Sequence, residues 1–237
     1  MAGLTYATYK TALSTLSVVP ETDPNWQAIL PDTIDYAELR IYRDLDLLST
    51  VRTDTSFSTT TNSSKVQLTQ GTFVTLQNVN VITPSTTTNP DLGTRVPLLP
   101  VSKEYIQYAW PSASNAAVPQ YFAMIDERTF SLGPWPNDNY TLEIVGTYRP
   151  ETLSATNTTT FISQYLPDLF LMASMIFISG YQRNFGRQSD DPAMAQSYEN
   201  QYQALLRGAT VEEYRKKFAA SAWTSISTSP AATVDRG

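Results

Sequence analysis

Apolar positions recur at helical spacing at both ends of the chain and at strand spacing in the middle. Near the start, Tyr9, Ala12, Leu13 and Leu16 step by three and four, the repeat that lines up one helix face. Pro20 and Pro24 mark a loop. Asp23 before Pro24 suits a helix start, with the carboxylate as N-cap and proline at the first helical position. Trp26, Ile29 and Leu30 form the apolar face of that short turn. From Pro31 a longer pattern begins. Ile34, Ala37, Ile41, Leu45 and Leu48 keep the period and predict an amphipathic helix over 31–48.

From 49 to 89 Thr, Ser, Asn and Val take over, residues that favour strands and turns. Thr55, Phe57 and Thr59 alternate with polar neighbours. So do Val74 and Leu76, then Val79 and Val81, but the second pair is out of step, which predicts a bulge at Gln77 or Asn78. Gln70 and Gly71 read as the turn between a strand at 66–68 and this one. The stretch 83–97, with prolines at 84 and 90 and a Thr run between them, reads as an exposed loop. A short helix is expected around 102–109. Strands at 121–125 and 129–132 flank Asp126, Glu127 and Arg128, a hairpin turn. After a turn at 134–139, the alternation of Tyr140, Leu142, Ile144, Gly146 and Tyr148 predicts the clearest strand in the chain.

The helical signal returns after Thr160. From 166 to 178 almost every position is apolar, as in a helix buried on all sides. Gly186 suits its C-cap, and Asp191 with Pro192 opens another helix carrying Met194, Tyr198, Tyr202 and Leu205. Gly208 is expected to end it. Thr210, Val211, Glu212 and Glu213 have the form of a capping box, which predicts a final helix. Val211, Tyr214 and Phe218 would lie on one side of it, and Arg215, Lys216 and Lys217 on the other. The expected fold is α+β: a helical bundle from the N- and C-terminal segments with an inserted antiparallel β domain. Helices fill 1–48, the β domain 49–160, further helices 161–222, and an extended tail 223–237.

Composition narrows the chemistry. The 237 residues include no His and no Cys. That excludes disulfides, thiolate nucleophiles, Fe–S clusters, Ser-His-Asp triads and the usual zinc sites. Sixteen basic against 22 acidic side chains leave a net charge of −6 at pH 7, which argues against a general affinity for nucleic acid. The apolar run at 166–178 contains Asp168 and Ser174 and falls short of the roughly 20 residues that span a bilayer. MAGLTYATYK lacks the basic and apolar regions of a signal peptide, so a soluble, unprocessed chain is expected.

The candidate sites reduce mostly to structure. Asp44 and Asp46 diverge on a helix and read as a solvated face rather than a cation site. Asp126 and Glu127 point to opposite sides of a hairpin tip, unlike a hydrolytic carboxylate pair. Asp190 and Asp191 cap a helix. No glycine-rich phosphate loop is present. Arg215, Lys216 and Lys217 form the densest basic run, a solvated face or a complement to an acidic partner. Trp110 and Trp135, beside prolines, could stack on a sugar or line a protein interface. No catalytic, cofactor-binding or metal-binding residue is expected.

Two stretches carry a family pattern. One is AELRIYRDLDLL, at 37–48. The other has Pro119, Tyr121, Phe122 and Ala123, then Phe130, Leu132, Pro134, Pro136 and Tyr140. Pro150 and Leu153 follow, then Pro167, Asp168 and Leu169 before the apolar helix. In order and spacing this resembles the head-to-tail adaptor (tail tubular, or neck) proteins of short-tailed bacteriophages. The resemblance implies a structural virion protein, not an enzyme, in a ring of about twelve copies beneath the portal. Its partners would be the portal protein, the tail nozzle protein and other copies of itself. Viral DNA would pass through the channel without specific binding, and no membrane or cofactor is implied. On this reading the segment 207–237, with Arg215, Lys216, Lys217, Phe218 and Trp223, docks on the portal. The β domain, with Trp110 and Trp135, meets neighbours or the tail. Acidic residues are expected on the channel wall, where they keep DNA from sticking. A carbohydrate-binding or decoration module and, further off, a carboxylate-based hydrolase are the competing readings.

Overall fold

Local capping explains where the first two helices begin. The computed structural model describes residues 3–183 and 192–220. α1 (Tyr6–Ser17) starts at Thr5, whose hydroxyl accepts from Thr8 N while the Thr8 hydroxyl accepts from Thr5 N. α2 (Pro24–Asp44) starts at Asp23, which accepts from the backbone of Asn25 and Trp26. Pro31 does not begin a helix; it lies inside α2. An internal proline removes a hydrogen bond and crowds the preceding turn, at a cost of about 3 kcal/mol. Here it sits on the exposed face of the helix. Trp26 and Leu30 before it, and Ile34, Ala37 and Ile41 after it, all bury in one cluster that holds the helix together. α2 also ends at Asp44, short of Leu48. Leu45 has extended backbone, so Leu45 and Leu47, two apart, both point into the core while Asp46 stays outside.

Among the described residues the fold is mixed, with six α-helices and two β-sheets, and it divides into two compact units. The helical unit takes in the chain up to Leu48 and from Glu151 onward; the β unit is Ser49–Pro150.

In the helical unit the later helices are α4 (Phe161–Tyr165), α5 (Pro167–Arg183) and α6 (Pro192–Ala220). α5 is central and packs on α1, α2 and α6. Its Phe170 stacks on Tyr9 with ring centroids 4.5 Å apart. The Ser174 hydroxyl donates to Phe170 O at 2.7 Å, so it accepts the buried Tyr9 hydroxyl at 2.6 Å. Burial holds the Tyr9 pKa well above its usual value. α6 is one helix of 29 residues, running through both Gly208 and Thr210. The expected break and capping box are absent. The Thr210 hydroxyl donates back to Leu206 O at 2.7 Å, as a mid-helix threonine does. Tyr202 and Ala209 bury on the same core, and that packing outweighs the roughly 1 kcal/mol a helical glycine costs. Gly186 and Asp191 lie outside the described residues.

In the β unit, β1 (Val51–Ser58), β8 (Thr141–Thr147), β3 (Thr75–Thr83) and β4 (Thr94–Pro97) form one antiparallel sheet in that order. β2 (Lys65–Gln67), β7 (Thr129–Gly133), β6 (Tyr121–Met124) and β5 (Leu99–Pro100) form the other, with β5 parallel to β6. Val79, Val81, Leu142 and Ile144 of the first sheet share a core with Val66, Phe122, Phe130 and Leu132 of the second. The expected bulge is present, because the β3–β8 register shifts between Leu76 and Asn78. The stretch 83–97 is only partly loop. Its last four residues are β4, an edge strand whose exposed side chains hide its pairing with β3. Gly71, at φ 78°, turns the chain between sheets rather than within a hairpin. α3 (Lys103–Ala109), capped by Ser102, lies on β6 and β7.

Gly146 is set by close approach. A Cβ there would meet Thr75 O at 2.3 Å and Phe73 Cδ1 at 2.7 Å. Gly146→Ala is therefore expected to destabilise the β unit by about 1–3 kcal/mol in urea denaturation followed by tryptophan fluorescence. An unchanged midpoint would show that the strand has room to move.

Candidate functional site

The helical phase of α6 sets which side chains face out. Tyr202, Ala209 and Glu213 point inward, with Tyr198, Leu205 and Leu206 packed beside them. Continuing that phase puts Arg207, Gly208, Val211, Tyr214 and Arg215 on the outer face, all exposed. Two helices were expected here, with Val211, Tyr214 and Phe218 as an apolar side. In the single helix those three are exposed instead, Tyr214 at 69%.

The basic run divides. Lys216 reaches Glu212 at 2.6 Å and Glu213 at 2.8 Å, and its ammonium lies 5.3 Å from the Phe161 ring centre. Lys217 pairs with Asp46. Glu213 also accepts Leu48 N at 3.0 Å, which ties the end of α6 to the chain after α2. Arg215 points outward with no ion pair among the described residues. Trp223 lies outside the described residues.

The two tryptophans of the β unit come together. Trp110 stacks on Tyr121 at 5.5 Å and meets Tyr105 edge-on at 5.9 Å. Trp135 Nε1 donates to Trp110 O at 2.9 Å. Gly133 makes room for the Trp110 ring, since a Cβ there would lie 2.5 Å from Cε3. Both indoles are half-buried, and the outermost apolar groups nearby are Tyr108 and Leu99. Sequence reading passed over those two. For Tyr108 the signal was its place two residues after Ile106, on the other face of the short helix α3; Leu99, on the two-residue strand β5, left no pattern of its own.

The carboxylates are engaged structurally. Asp44 accepts the Tyr202 hydroxyl at 2.7 Å and lies 3.6 Å from Arg40. Asp126 accepts from Arg128 N and Thr129 N, both at 2.8 Å, and closes its own hairpin. Asp190 and Asp191 lie outside the described residues. Among the described residues no group of three or more acidic side chains could hold a metal ion. No described helix is long and apolar enough to cross a membrane.

Two exposed surfaces stand out among the described residues: the mixed outer face of α6 and the aromatic patch of the β unit. The SU10 adaptor protein family model matches residues 4–227. The chain belongs to this family and is a bacteriophage head-to-tail adaptor, a structural protein of the virion. No curated protein matches it.

Proposed function

We propose that the chain forms the adaptor ring, of about twelve copies, that joins the portal to the tail nozzle and extends the DNA channel. The protein works at the neck of the virion, after synthesis in the host cytoplasm, and catalyses no reaction. Its β unit interrupts a helical bundle in sequence, an inserted domain that presents surfaces to several neighbours at once.

The observation that carries this reading, beside the family match, is the outer face of α6. Arg207, Val211, Tyr214 and Arg215 combine exposed apolar surface with positive charge in an acidic chain. This face, with Phe218 and the chain beyond it including Trp223, docks on the portal. Lys216 and Lys217 hold the helix end to its own unit through Glu212, Glu213 and Asp46. The aromatic patch around Trp110 and Trp135 meets neighbours or the nozzle. DNA passes without specific binding along a wall of acidic residues.

Deleting residues 222–237 tests the docking arm. The truncated protein is expected to keep its far-ultraviolet circular dichroism and to lose binding to purified portal. Portal binding equal to that of the full chain would refute it.

A further inference from the structure

The β unit has an open cavity of about 370 Å³ at one end of its sheets. Leu68 and Phe73, both buried members of the core, make its floor, and Val74 stands beside them 51% exposed. The walls are held by backbone bonds. Leu68 N donates to Arg128 O and Val74 N to Thr147 O, each at 2.7 Å. Arg128 and Arg149 stand on the rim, and neither guanidinium has a hydrogen bond or ion pair among the described residues. Arg40, Arg52 and Arg95, by contrast, are all ion-paired. Glu127 on the same rim and Asp126, whose charge acts on Arg128, leave little net charge there, which disfavours a polyanion such as DNA; the two guanidiniums without an ion pair suit one carboxylate beside an apolar group.

The opposite end of the unit presents that pair of groups. The short turn Pro90–Leu92 exposes Leu92 at 84%, extreme for leucine. The Asp91 carboxylate beside it is also 84% exposed, and its one ion pair is at 3.3 Å to Arg95, whose guanidinium already holds Glu143. The turn is preformed. Asn89 caps it by accepting from Asp91 N at 3.0 Å, and Gly93 sits so tightly on Ile82 that a Cβ would overlap it.

β3 separates the two features. Val74 precedes its first residue, and Gly93 precedes Thr94, the partner of Thr83 at its other end. A strand of nine residues spans about 30 Å, so the turn cannot reach the cavity of its own chain.

We infer that the β unit carries a plug and a socket for copies of itself: Leu92 of one copy seats on Leu68 and Phe73 of the next, with Asp91 between Arg128 and Arg149. Two different surfaces make the contact heterologous, which propagates from copy to copy and closes a ring when the rotation permits. The inference rests on the adaptor-ring reading and names the contact between its subunits.

The absence of cysteine makes a direct test available. Full-length Leu92→Cys/Val74→Cys protein is assembled on portal, imaged, and mildly oxidised. Covalent ladders are expected on non-reducing gels, while each single-cysteine variant stays uncrosslinked. Leu92→Asp and Arg128→Glu/Arg149→Glu should each weaken assembly by at least about tenfold, and adding Asp91→Arg to the latter should restore it. Rings that give no ladder, a single-cysteine dimer, or wild-type assembly by Leu92→Asp would overturn this contact and leave the adaptor reading standing. Absence of any ring from wild-type protein with portal would overturn both. A ladder without portal binding would support the contact and refute the portal role.

Discussion

Phe170→Ala should lower the stability of the helical unit by about 3–5 kcal/mol, the largest effect expected from one substitution here. Phe170 is fully buried on α5, the helix that α1, α2 and α6 all pack against. Truncation removes the ring that stacks on Tyr9 and leaves a hole between α1 and α5, where neither helix can shift without breaking other contacts. The Ser174 bond to Phe170 O is to backbone and survives, so the loss is one of packing rather than polar satisfaction. Native domains hold only about 5–15 kcal/mol in total, so the variant should be partly unfolded at 37 °C. Urea denaturation followed by circular dichroism at 222 nm reads the change. The β unit has a separate core around Phe130, and its transition should stay in place. A loss below about 1 kcal/mol would mean that the unit collapses around the hole.

Glu38 should make the protein lose stability as pH rises from 5 to 8. Its side chain is wholly buried on α2. Oε1 accepts from Leu153 N and the Thr160 hydroxyl, both at 3.3 Å, while Oε2 has no hydrogen-bond partner. Burial pushes the carboxyl up from 4.5 to about 7; those two donors oppose the shift and the charge of Asp35 adds to it. Between those values the native state binds more protons than the unfolded chain. Stability therefore falls as pH rises, and the loss is complete above about pH 8, at about 3 kcal/mol. Glu143 and Glu199, held low by Arg95 and Arg40, act in the other direction, losing stability as pH falls below the ordinary carboxylate range. Glu38→Gln isolates the effect, because it stays neutral while keeping the Oε1 acceptor. From pH 5 to pH 8 the variant should gain on the wild type by about 3 kcal/mol. Parallel pH profiles for the two proteins would refute a buried, proton-holding Glu38.

Glu38 also shows what was within reach of sequence reading. It stands four residues after Ile34 and three before Ile41, on the apolar face of a helix whose period was plain. The bulge at Leu76–Asn78 was equally legible, since two alternating pairs out of step require an extra residue between them. Pro31 and Gly208 misled for a common reason. Their local penalties are about 3 and 1 kcal/mol, and burial of the residues on either side in one core exceeds both. β4 was missed because its pairing with β3 is made by backbone groups, which leave little pattern in exposed side chains.

Periodicity, caps and turns are properties of neighbours in the chain, and from them followed the order of helices, strands and helices, the position of α1, the start of α2 and the β6–β7 hairpin. The lack of His and Cys likewise follows from sequence alone, and with it the exclusion of much chemistry. Partners far apart in sequence were settled only by the fold. Asp46 and Glu213 draw two of three basic residues away from solvent and leave Arg215 outside. The two ends of β3 put an exposed Leu92 and an open cavity of mixed lining on opposite sides of one unit. Burial and ion pairing depend on what the rest of the chain brings near a residue, and the local pattern carries no record of that.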